Sequence, residues 1–323
     1  MEDYPRTLQE LEGRFHTEQT CRNYLYALRW PDGFRCPRCG HGRSWPVGED
    51  LFQCAQCAYQ ASVTAGTIFQ DTRKPLSLWF RAVWWVTTQK NGASALGLQR
   101  VLGLGSYQTA WGWLHKLRRA MVRPGRDRLS GQVEVDETYV GGLDEGHRGR
   151  QGARKGKKAL VVIAAEQDGK GTGRIRMAHV ADGSAASLHP FIRGAVEPGS
   201  VVHTDGWQGY AGLRKQGYDH QAGSQKSDAE LLPRVHRIAS LLKRWLLGTH
   251  QGGVSFKHLA YYLDEFTFRF NRRTSRSRGK LFFRLLQQAV AVEPETYGTI
   301  VGRPAGPSRA PTPNMQGVPE SSG

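Results

Sequence analysis

Two pairs of cysteines constrain this chain more tightly than any other feature of its 323 residues. They occur as CPRC at residues 36–39 and CAQC at residues 54–57, with fourteen residues between the pairs. A two-residue gap lets both thiolates of a knuckle reach one tetrahedral ion, and the longer segment suffices for a hairpin that returns the second knuckle. We therefore predict a zinc ribbon over residues 31–66. Its predicted Zn²⁺ ligands are Cys36, Cys39, Cys54 and Cys57.

Two disulfides are the alternative to this metal site. The N-terminal residues MEDYPRTLQELEGRF lack the basic start and apolar run of a secretory signal. This predicts a cytoplasmic, reducing location in which thiols stay free. Four thiolates leave no open coordination position, so the zinc is predicted to be structural. The remaining cysteine, Cys21, is isolated and is predicted to be a small buried side chain.

The charge balance favours a polyanionic partner. The chain has 45 Lys and Arg against 28 Asp and Glu, a formal charge of +17 and a pI of about 10.0. Nucleic acid is the leading candidate for such a chain. The longest apolar runs, such as residues 159–165, are too short to span a membrane, so no membrane partner is expected.

Three helices are predicted over residues 75–124, from LSLWFRAVWWVTTQK, SALGLQRVLG and YQTAWGWLHKLRRAMVR. Ser106 is placed to cap the third, on which Leu114, Leu117 and Met121 form a buried stripe. If this is a helix-turn-helix, its third helix lies in the major groove of DNA. The candidate DNA-binding residues are Tyr107, Gln108, Thr109, Lys116, Arg118 and Arg119. The alternative is an ordinary three-helix unit with solvated basic residues.

From residue 132 onward, β-branched runs indicate α/β architecture. VEVDETYV, ALVVIAAE and RIRMAHVAD are followed by a helix and then by the strand SVVHTD. This is the order of a ribonuclease-H-like domain, which we assign to residues 130–292. It would bring Asp136 and Asp205 side by side at strand ends, where two carboxylates suit a pair of Mg²⁺ ions. Taken alone, an aspartate after an apolar strand is as often a turn-former.

A third site member is expected from the later helix VHRIASLLKRWLLG. On it His236, Ser240 and Lys243 share one face. Since imidazole suits Mn²⁺ better than Mg²⁺, His236 either binds such an ion, orients a water or the DNA, or is a polar surface residue, and Lys243 would neutralise a phosphate. Glu265, off the apolar stripe of the next helix, is the carboxylate substitute for His236 or a solvated glutamate.

Three further segments complete the predicted organisation. Residues 1–30 have helical periodicity and are predicted to form a helical lead-in. The basic run NRRTSRSRGK at residues 271–280 is a phosphate-contacting edge or a solvated loop. Residues 293–323, increasingly rich in Pro, Gly and Ser, are predicted to be a disordered tail.

With these residues in place, the chain resembles the bacterial insertion-sequence transposases of the DDE superfamily that carry a zinc ribbon ahead of the catalytic domain. The family is the one numbered fifteen ninety-five, also called ISXO-two-like. Four segments carry the resemblance through their order and spacing: CPRCG with FQCAQCAYQASVTAGTIFQDTRKPL, VEVDETYVGG, VVHTDGWQGY, and VHRIASLLKRWLLGTHQGGVSFKHLAYYLDEFTFRFNRR.

The resemblance implies an enzyme, a two-metal polynucleotidyl transferase that nicks transposon ends and uses the freed 3′-hydroxyl to attack target DNA. It implies that Asp136 and Asp205 bind Mg²⁺ or Mn²⁺, that His236 occupies the third catalytic position, and that Lys243 is the accompanying lysine. Many relatives in the superfamily carry Glu where this chain has His236. The implied partners are double-stranded DNA, as terminal inverted repeats and as target, and a second copy of the chain, since two ends must be synapsed. Such a protein would be nucleoid-associated when bound to DNA.

Two other functions fit the same residues. A ribonuclease-H-like nuclease would share Asp136 and Asp205 but only hydrolyse its substrate. A catalytically silent DNA-binding regulator would keep the ribbon and the helix-turn-helix, and neither aspartate would matter for its activity.

Overall fold

The computed structural model describes residues 2–123, 125–141, 158–223, 231–251 and 254–302. The helices are α1 Leu8–Arg14, α2 Glu18–Arg29, α3 Leu76–Thr88, α4 Ala95–Leu102, α5 Tyr107–Ala120, α6 Ala185–Ala195, α7 Pro233–His250, α8 Leu259–Asn271, α9 Arg278–Ala289 and α10 Tyr297–Val301. The strands are β1 Ser44–Val47, β2 Leu51–Cys54, β3 Gln60–Ser62, β4 Gln132–Gly141, β5 Lys158–Asp168, β6 Gly171–Val180, β7 Val201–Asp205 and β8 Asp219–Gly223. Short 3-10 helices lie at Gln208–Tyr210, Leu213–Gln216 and Phe256–His258.

The N-terminal segments share one hydrophobic core, although the sequence divides them into a lead-in, a ribbon and a helical unit. Strands β1, β2 and β3 form a small antiparallel sheet in that order. It packs on α2, where the Arg29 guanidinium donates to the carbonyl of Ser62 at 2.8 Å. The tryptophan-rich α3 is buried on most sides, and Trp79 stacks on Trp113 of α5 with ring centroids 3.7 Å apart. Large aromatic contacts of this kind tie the segments together.

Helix α9 belongs to this N-terminal core, although the sequence assigns it to the catalytic domain over residues 130–292. It packs on α3, and the rings of Phe282 and Phe80 meet edge to face at 5.7 Å. The N–H of Ile68 also donates to the carbonyl of Ala289 at 3.3 Å. The apolar face of α9 matches the aromatic surface left open by α1 and α3, and a period-3.6 pattern does not reveal which surface it covers.

A second sheet of five strands carries the rest of the chain, in the order β6-β5-β4-β7-β8. The pairs β4–β5 and β5–β6 are antiparallel, whereas β4–β7 and β7–β8 are parallel. Helices α7 and α8 cover one face, and α6 covers the other. The four predicted strands are present, and β8 is additional. Its sequence DHQAG lacks an apolar alternation because it is an exposed edge strand.

A buried ion-pair cluster joins the two cores. Glu265 on α8 accepts from the Arg118 Nε at 2.7 Å and from the Arg269 Nε at 2.8 Å. Arg269 also donates to the carbonyls of Val86 and Gln89 at the end of α3. Burial alone would raise the pKa of Glu265, but the two guanidinium groups lower it to about 2.

This cluster corrects two sequence-based assignments. Arg118 is 2% exposed, so the expectation that it faces DNA is wrong. Glu265 is 1% exposed and is held by arginines, so it is neither a solvated glutamate nor a site carboxylate. A buried charge needs a partner of opposite sign, and here Arg118 and Glu265 are partners of one another.

The predicted tail begins with a described segment. Residues 297–301 form α10, whose Ile300 is buried and whose Tyr297 lies 6.1 Å from the Trp111 ring of α5. The disordered-tail prediction therefore does not hold for these residues, and residues 303–323 lie outside the described part of the chain. None of the described helices is long and apolar enough to cross a membrane.

Replacing the central carboxylate should destabilise the protein strongly. Glu265→Gln leaves Arg118 and Arg269 buried without a counter-charge, a change that costs about 3–5 kcal/mol in buried pairs. The matched control is Glu12→Gln, which breaks an exposed pair with Arg81 and should cost less than about 1 kcal/mol. Urea unfolding of both variants measures the difference. Equal midpoints for the two variants would show that the cluster does not stabilise the junction.

Candidate functional site

The four paired cysteines converge on one point. The Sγ atoms of Cys36 and Cys57 lie 3.7 Å apart, those of Cys39 and Cys54 lie 3.6 Å apart, and all four lie within 4.8 Å of one another. A tetrahedral ion bound at about 2.3 Å by each sulfur places the sulfurs about 3.8 Å apart. These separations fit zinc and are far longer than a disulfide bond, which is about 2.05 Å. The disulfide alternative is therefore wrong.

The local backbone explains why the thiols meet. After each pair the chain reverses through a left-handed residue, Gly40 with φ 76° and Ala58 with φ 56°. The N–H of Gly40 donates to the carbonyl of Cys36, and that of Ala58 to the carbonyl of Cys54. The N–H of Gln56 points at the Cys54 sulfur from 3.4 Å and stabilises its thiolate. The two knuckles thus have the same turn, which supports the ribbon prediction.

Cys21 is separate from this cluster. It is fully buried, its Sγ points at the carbonyl of Phe15, and burial raises the pKa of its thiol to about 12. The prediction of a small buried side chain is confirmed.

The two predicted aspartates lie on adjacent parallel strands. In the register of β4 and β7, Glu134 pairs with His203, so Asp136 and Asp205 follow two residues later on the same face. Both stand toward the side of the sheet that α7 covers. One oxygen of each carboxylate is occupied locally: Asp136 accepts from the N–H of Glu137 at 2.8 Å, and Asp205 accepts from the N–H of Trp207 at 3.0 Å.

Negative charge accumulates at this strand end. Burial is the largest cause that raises the pKa of Asp136, to about 6, and the neighbouring carboxylates of Glu137 and Asp205 raise it further. The N–H of Glu137 and the ring of His236 act in the opposite direction. A carboxylate whose ionisation is disfavoured by burial and by neighbouring negative charge is one that a bound cation would stabilise.

His236 lies beside Asp136, with its Nε2 3.4 Å from the Asp136 Oδ2. The imidazole is about half exposed, so it reaches the site from the solvent edge of α7. Among the described residues, only the cysteine quartet brings three or more candidate ligand atoms within 4.8 Å of one another. Asp136, Asp205 and His236 are therefore a more open arrangement than the zinc cluster, with room for water or substrate oxygens.

Strand β4 itself fixes where α7 begins. The carboxylate of Glu134 accepts from the N–H groups of Arg234 and Val235 at 2.8 and 3.0 Å, and from the Arg234 guanidinium at 2.7 Å. The residue before the helix, Leu232, is left-handed at φ 57° and supplies no side-chain cap. Glu134 therefore takes the place of an N-cap side chain. Because Asp136 is two residues along the same strand, this contact sets the distance between Asp136 and His236.

Lys243 follows His236 on the same face of α7, about 10 Å farther along at a rise of 1.5 Å per residue. It lines a cavity of about 750 Å³ together with Tyr139, Lys158 and Leu247. The lysine is exposed, and neither aspartate lines that cavity. Its position suits a substrate group that extends away from the carboxylates.

The opposite side of β4 supports the site from within. Tyr210 is fully buried, and its hydroxyl donates to the Glu137 carboxylate at 2.6 Å. Burial and the nearby carboxylates raise the pKa of Tyr210, which keeps its proton on the oxygen. Trp207, two residues after Asp205, donates through its indole N–H to the carbonyl of Gly183 at 2.7 Å and leaves part of its ring exposed.

Helix α5 presents its first turn to solvent. The hydroxyl of Ser106 accepts from the N–H of Thr109 at 3.3 Å, which confirms the predicted cap. Tyr107 and Gln108 are exposed and Thr109 is half-buried. Farther along, Arg119 is exposed and Lys116 is half-buried, whereas Leu114, Leu117 and Met121 are buried as predicted.

Several site residues were not found from the sequence. Glu134 alternates with Val133 and Val135, so the sequence puts it on the same polar strand face as Asp136, but its cap to α7 depends on a helix that begins 99 positions later. Lys158 is the last residue of the basic sequence RKGKK, and nothing in the sequence indicated that it lines a cavity with Lys243. Trp207 follows Asp205 and Gly206 in the segment VVHTDGWQGY, and nothing in the sequence marked it as a site residue.

Two family models match this chain, each over a different region. Residues 128–271 match the model of the ISXO2-like transposase domain of IS1595. Residues 16–60 match the model of the transposase zinc-ribbon domain of the same group. The first contains Asp136, Asp205, His236 and Lys243, and the second contains all four paired cysteines.

Two individual proteins are also similar to this chain. An uncharacterized protein in transposable element ISH50 of Halobacterium salinarum is 28% identical over 288 residues, which are 82% of this chain and 94% of the relative. A chain of the cryo-EM structure of the simian T-cell lymphotropic virus intasome in complex with PP2A regulatory subunit B56 gamma has 13% identity and a TM-score of 0.32. That comparison covers 71% of this chain and 77% of the other.

The zinc site predicts a metal-dependent ribbon. Cys39→Ser should abolish stoichiometric zinc binding and unfold the ribbon, since structural zinc contributes folding energy directly. Cys21→Ser is the matched control, because that thiol lies outside the cluster, and it should keep an equimolar amount of zinc. Elemental analysis of the purified proteins gives the zinc content. A folded wild-type ribbon without zinc would contradict the assignment.

The carboxylate of Glu134 should stabilise the first turn of α7. Glu134→Gln removes the charge from this cap and should cost about 1–2 kcal/mol locally. Amide hydrogen exchange in that turn should then accelerate by roughly 5- to 30-fold. Glu166→Gln, which disrupts the pair with Arg174 elsewhere on the sheet, should leave exchange in α7 unchanged. Unchanged exchange in Glu134→Gln would show that the strand does not cap the helix.

Proposed function

Because the chain belongs to the IS1595 family of transposases, we propose that it is a DNA transposase that cleaves the ends of its element and joins them to target DNA. The observation that carries the proposal is the meeting of Asp136, Asp205 and His236 at one strand end inside the matched domain. Transposase activity of this type is a polynucleotidyl transfer, in which an oxygen nucleophile displaces a 3′-oxygen at phosphorus.

The topology supports a ribonuclease-H-like domain. Three antiparallel strands, β4 to β6, are followed by a helix and by β7, which pairs in parallel with β4. This arrangement puts the first and fourth strands side by side, and their aspartates at one edge. The family match ends at residue 271, which agrees with the packing of α9 in the N-terminal core.

The carboxylates fit divalent cations. Asp136 and Asp205 offer oxygen ligands, their mutual repulsion favours a positive ion, and the open geometry leaves positions for water and phosphate oxygens. When bound, Mg²⁺ or Mn²⁺ would activate the attacking oxygen and stabilise the leaving one. In the proposal, Asp136 and Asp205 hold the cations, with Glu137 and Tyr210 fixing the strand from behind.

His236 and Lys243 have different proposed roles. The His236 imidazole, at 3.4 Å from Asp136, can complete the cation site or hold an attacking water against the carboxylate. Lys243 lies about 10 Å away along the helix and would bind a phosphate next to the one that reacts. A third carboxylate is therefore not required from Glu265.

The N-terminal half would hold DNA. The exposed first turn of α5, with Tyr107, Gln108 and Thr109, has the position of a recognition helix that follows a turn, and Arg119 lies on the same helix. Lys116 is half-buried and burial lowers its pKa, so it is a weaker candidate for a phosphate contact. Two transposon ends must be held together for joining, so we propose at least a dimer on DNA.

Strand transfer tests the proposal directly. A labelled duplex from the end of the element, incubated with the protein, Mn²⁺ and a plasmid, should give a joined product. Asp136→Asn and Asp205→Asn should each reduce joining by more than about a hundred-fold, since even outer-shell changes at metal sites cost 10–100-fold. The control is Asp219→Asn, an equal charge change at the far end of the neighbouring strand β8.

Other outcomes separate the alternatives. Metal-dependent cleavage that needs Asp136 but yields no joined product would make the protein a nuclease. Specific DNA binding with no activity that responds to either aspartate would make it a silent regulator.

A further inference from the structure

A basic groove lies where the two cores meet, outside the carboxylate site. It has a volume of about 590 Å³ and is bounded by the α3–α4 loop, the side of α7, the end of α8 and the start of α9. Six of its lining residues are basic, and none of the described residues that line it is acidic. The basic residues are Lys90, Arg244, Arg269, Arg272, Arg273 and Arg278.

The cations of this groove fall into two groups. The first group is bound within the molecule: Arg269 pairs with Glu265 and donates to backbone carbonyls, and Arg273 donates to the carbonyls of Gly173 and Phe270. Lys90, Arg244 and Arg278 are exposed and form no ion pair with any residue in the described ranges. Arg272 is half-buried, and burial with the neighbouring Arg284 and Arg123 lowers its pKa to about 10, so it remains charged at neutral pH. Lys90, Arg244, Arg272 and Arg278 therefore bring positive charges close together with no ion-pair partner in the described part of the chain.

Hydrogen bonds and a close backbone approach hold the walls of the groove together. The carbonyl of Asn91 accepts from the Trp245 indole N–H at 2.9 Å and from the Thr249 hydroxyl at 2.6 Å, which ties the α3–α4 loop to α7. Gly92 has φ 88°, and a Cβ there would lie 3.1 Å from both the Glu265 carboxylate and the Trp245 indole. Only glycine allows the loop to approach this closely. A preformed cationic groove loses little entropy when it binds an anion.

Two of the four aromatic residues that line the groove, Phe268 and Phe270, each have a guanidinium group over the ring. The guanidinium of Arg272 lies 4.1 Å from the ring centroid of Phe268, and that of Arg273 lies 4.0 Å from that of Phe270. Binding of single strands normally uses open aromatic faces on which bases stack. Here guanidinium groups occupy a face of Phe268 and of Phe270, so at these two rings the groove offers cations to phosphates and not rings to bases.

We propose that this groove binds the phosphodiester backbone of a DNA duplex, as a site separate from the carboxylate centre. The assignment rests on the proposed function, since it supplies a contact for the DNA that the carboxylates act on. Arg244 follows Lys243 in sequence and is therefore turned about 100° around α7 from it. One helix thus faces the carboxylate cleft with Lys243 and the groove with Arg244. The basic run at residues 271–280 is a phosphate-contacting edge on this view.

The experiment compares two charge-matched double variants. Lys90→Gln with Arg244→Gln removes one lysine and one arginine from the groove. The control, Lys215→Gln with Arg193→Gln, removes one of each from exposed positions on the α6 side of the sheet. Binding of a labelled 30-base-pair duplex is measured by fluorescence anisotropy over a range of salt concentrations, in buffer without Mg²⁺ or Mn²⁺ and without chelator, so that no catalytic step contributes and the structural zinc is retained.

The groove variant should bind the duplex more weakly, and its affinity should depend less steeply on the salt concentration. Each lost phosphate contact reduces the slope of log Kobs against log salt by about 0.9, so the expected change is about 1.8. The control should keep the wild-type slope and, like the groove variant, the wild-type melting temperature. A groove variant with the wild-type slope, or with no larger change than the control, would overturn the proposal. If the wild-type protein binds no duplex at all, the transposase proposal itself fails, which is a distinguishable result.

Discussion

One buried carboxylate, Glu265, makes a single body out of what the sequence presents as separate modules. Its two oxygens accept from Arg118 on α5 and from Arg269 on α8, and Arg269 extends the contact to the end of α3. Burial of three charged groups is costly unless all are paired, so the cluster tolerates little displacement. These bonds therefore fix the position of the helices proposed to contact DNA relative to the sheet that carries Asp136. A flexible linker between recognition and chemistry would not provide this.

Strand β4 organises the site on a smaller scale, because consecutive residues perform different tasks on its two faces. Glu134 and Asp136 point toward α7, one to cap that helix and the other to meet its His236. Glu137 points the other way and binds the hydroxyl of Tyr210. The alternation of side chains along the strand therefore separates Glu134 and Asp136, which face α7, from Glu137, which binds Tyr210 on the other face. A shift of one residue in the register would exchange these roles, so the pairing with β5 and β7 is part of the site's construction.

A feature of this protein could be predicted from the sequence when the residues that form it are close together in the chain. The zinc ribbon was predictable because both knuckles are short repeats of the same turn, and metal geometry fixes their spacing. The strands around Asp136 and Asp205 were predictable from alternation and order. Arg118 and Glu265 were misplaced because helical periodicity marks a charged residue as exposed unless its partner is known, and the partner here is 147 positions away. The assignment of α9 failed for a related reason, since an apolar stripe shows that a face is covered but not by what.

The cluster at Glu265 also relates the basic groove to the rest of the molecule. Arg269 donates to the carbonyl of Gln89, which lines the groove, while Arg118 reaches the same carboxylate from α5. The groove, helix α5 and the sheet are therefore linked through one set of buried bonds, and α7 connects them to His236. In the proposed function, DNA held at α5 and at the groove would meet the carboxylates in a set orientation, without a conformational change inside the protomer. Binding energy from distant phosphates could then contribute to positioning the reacting one, which is how contacts remote from the chemistry accelerate a transfer reaction.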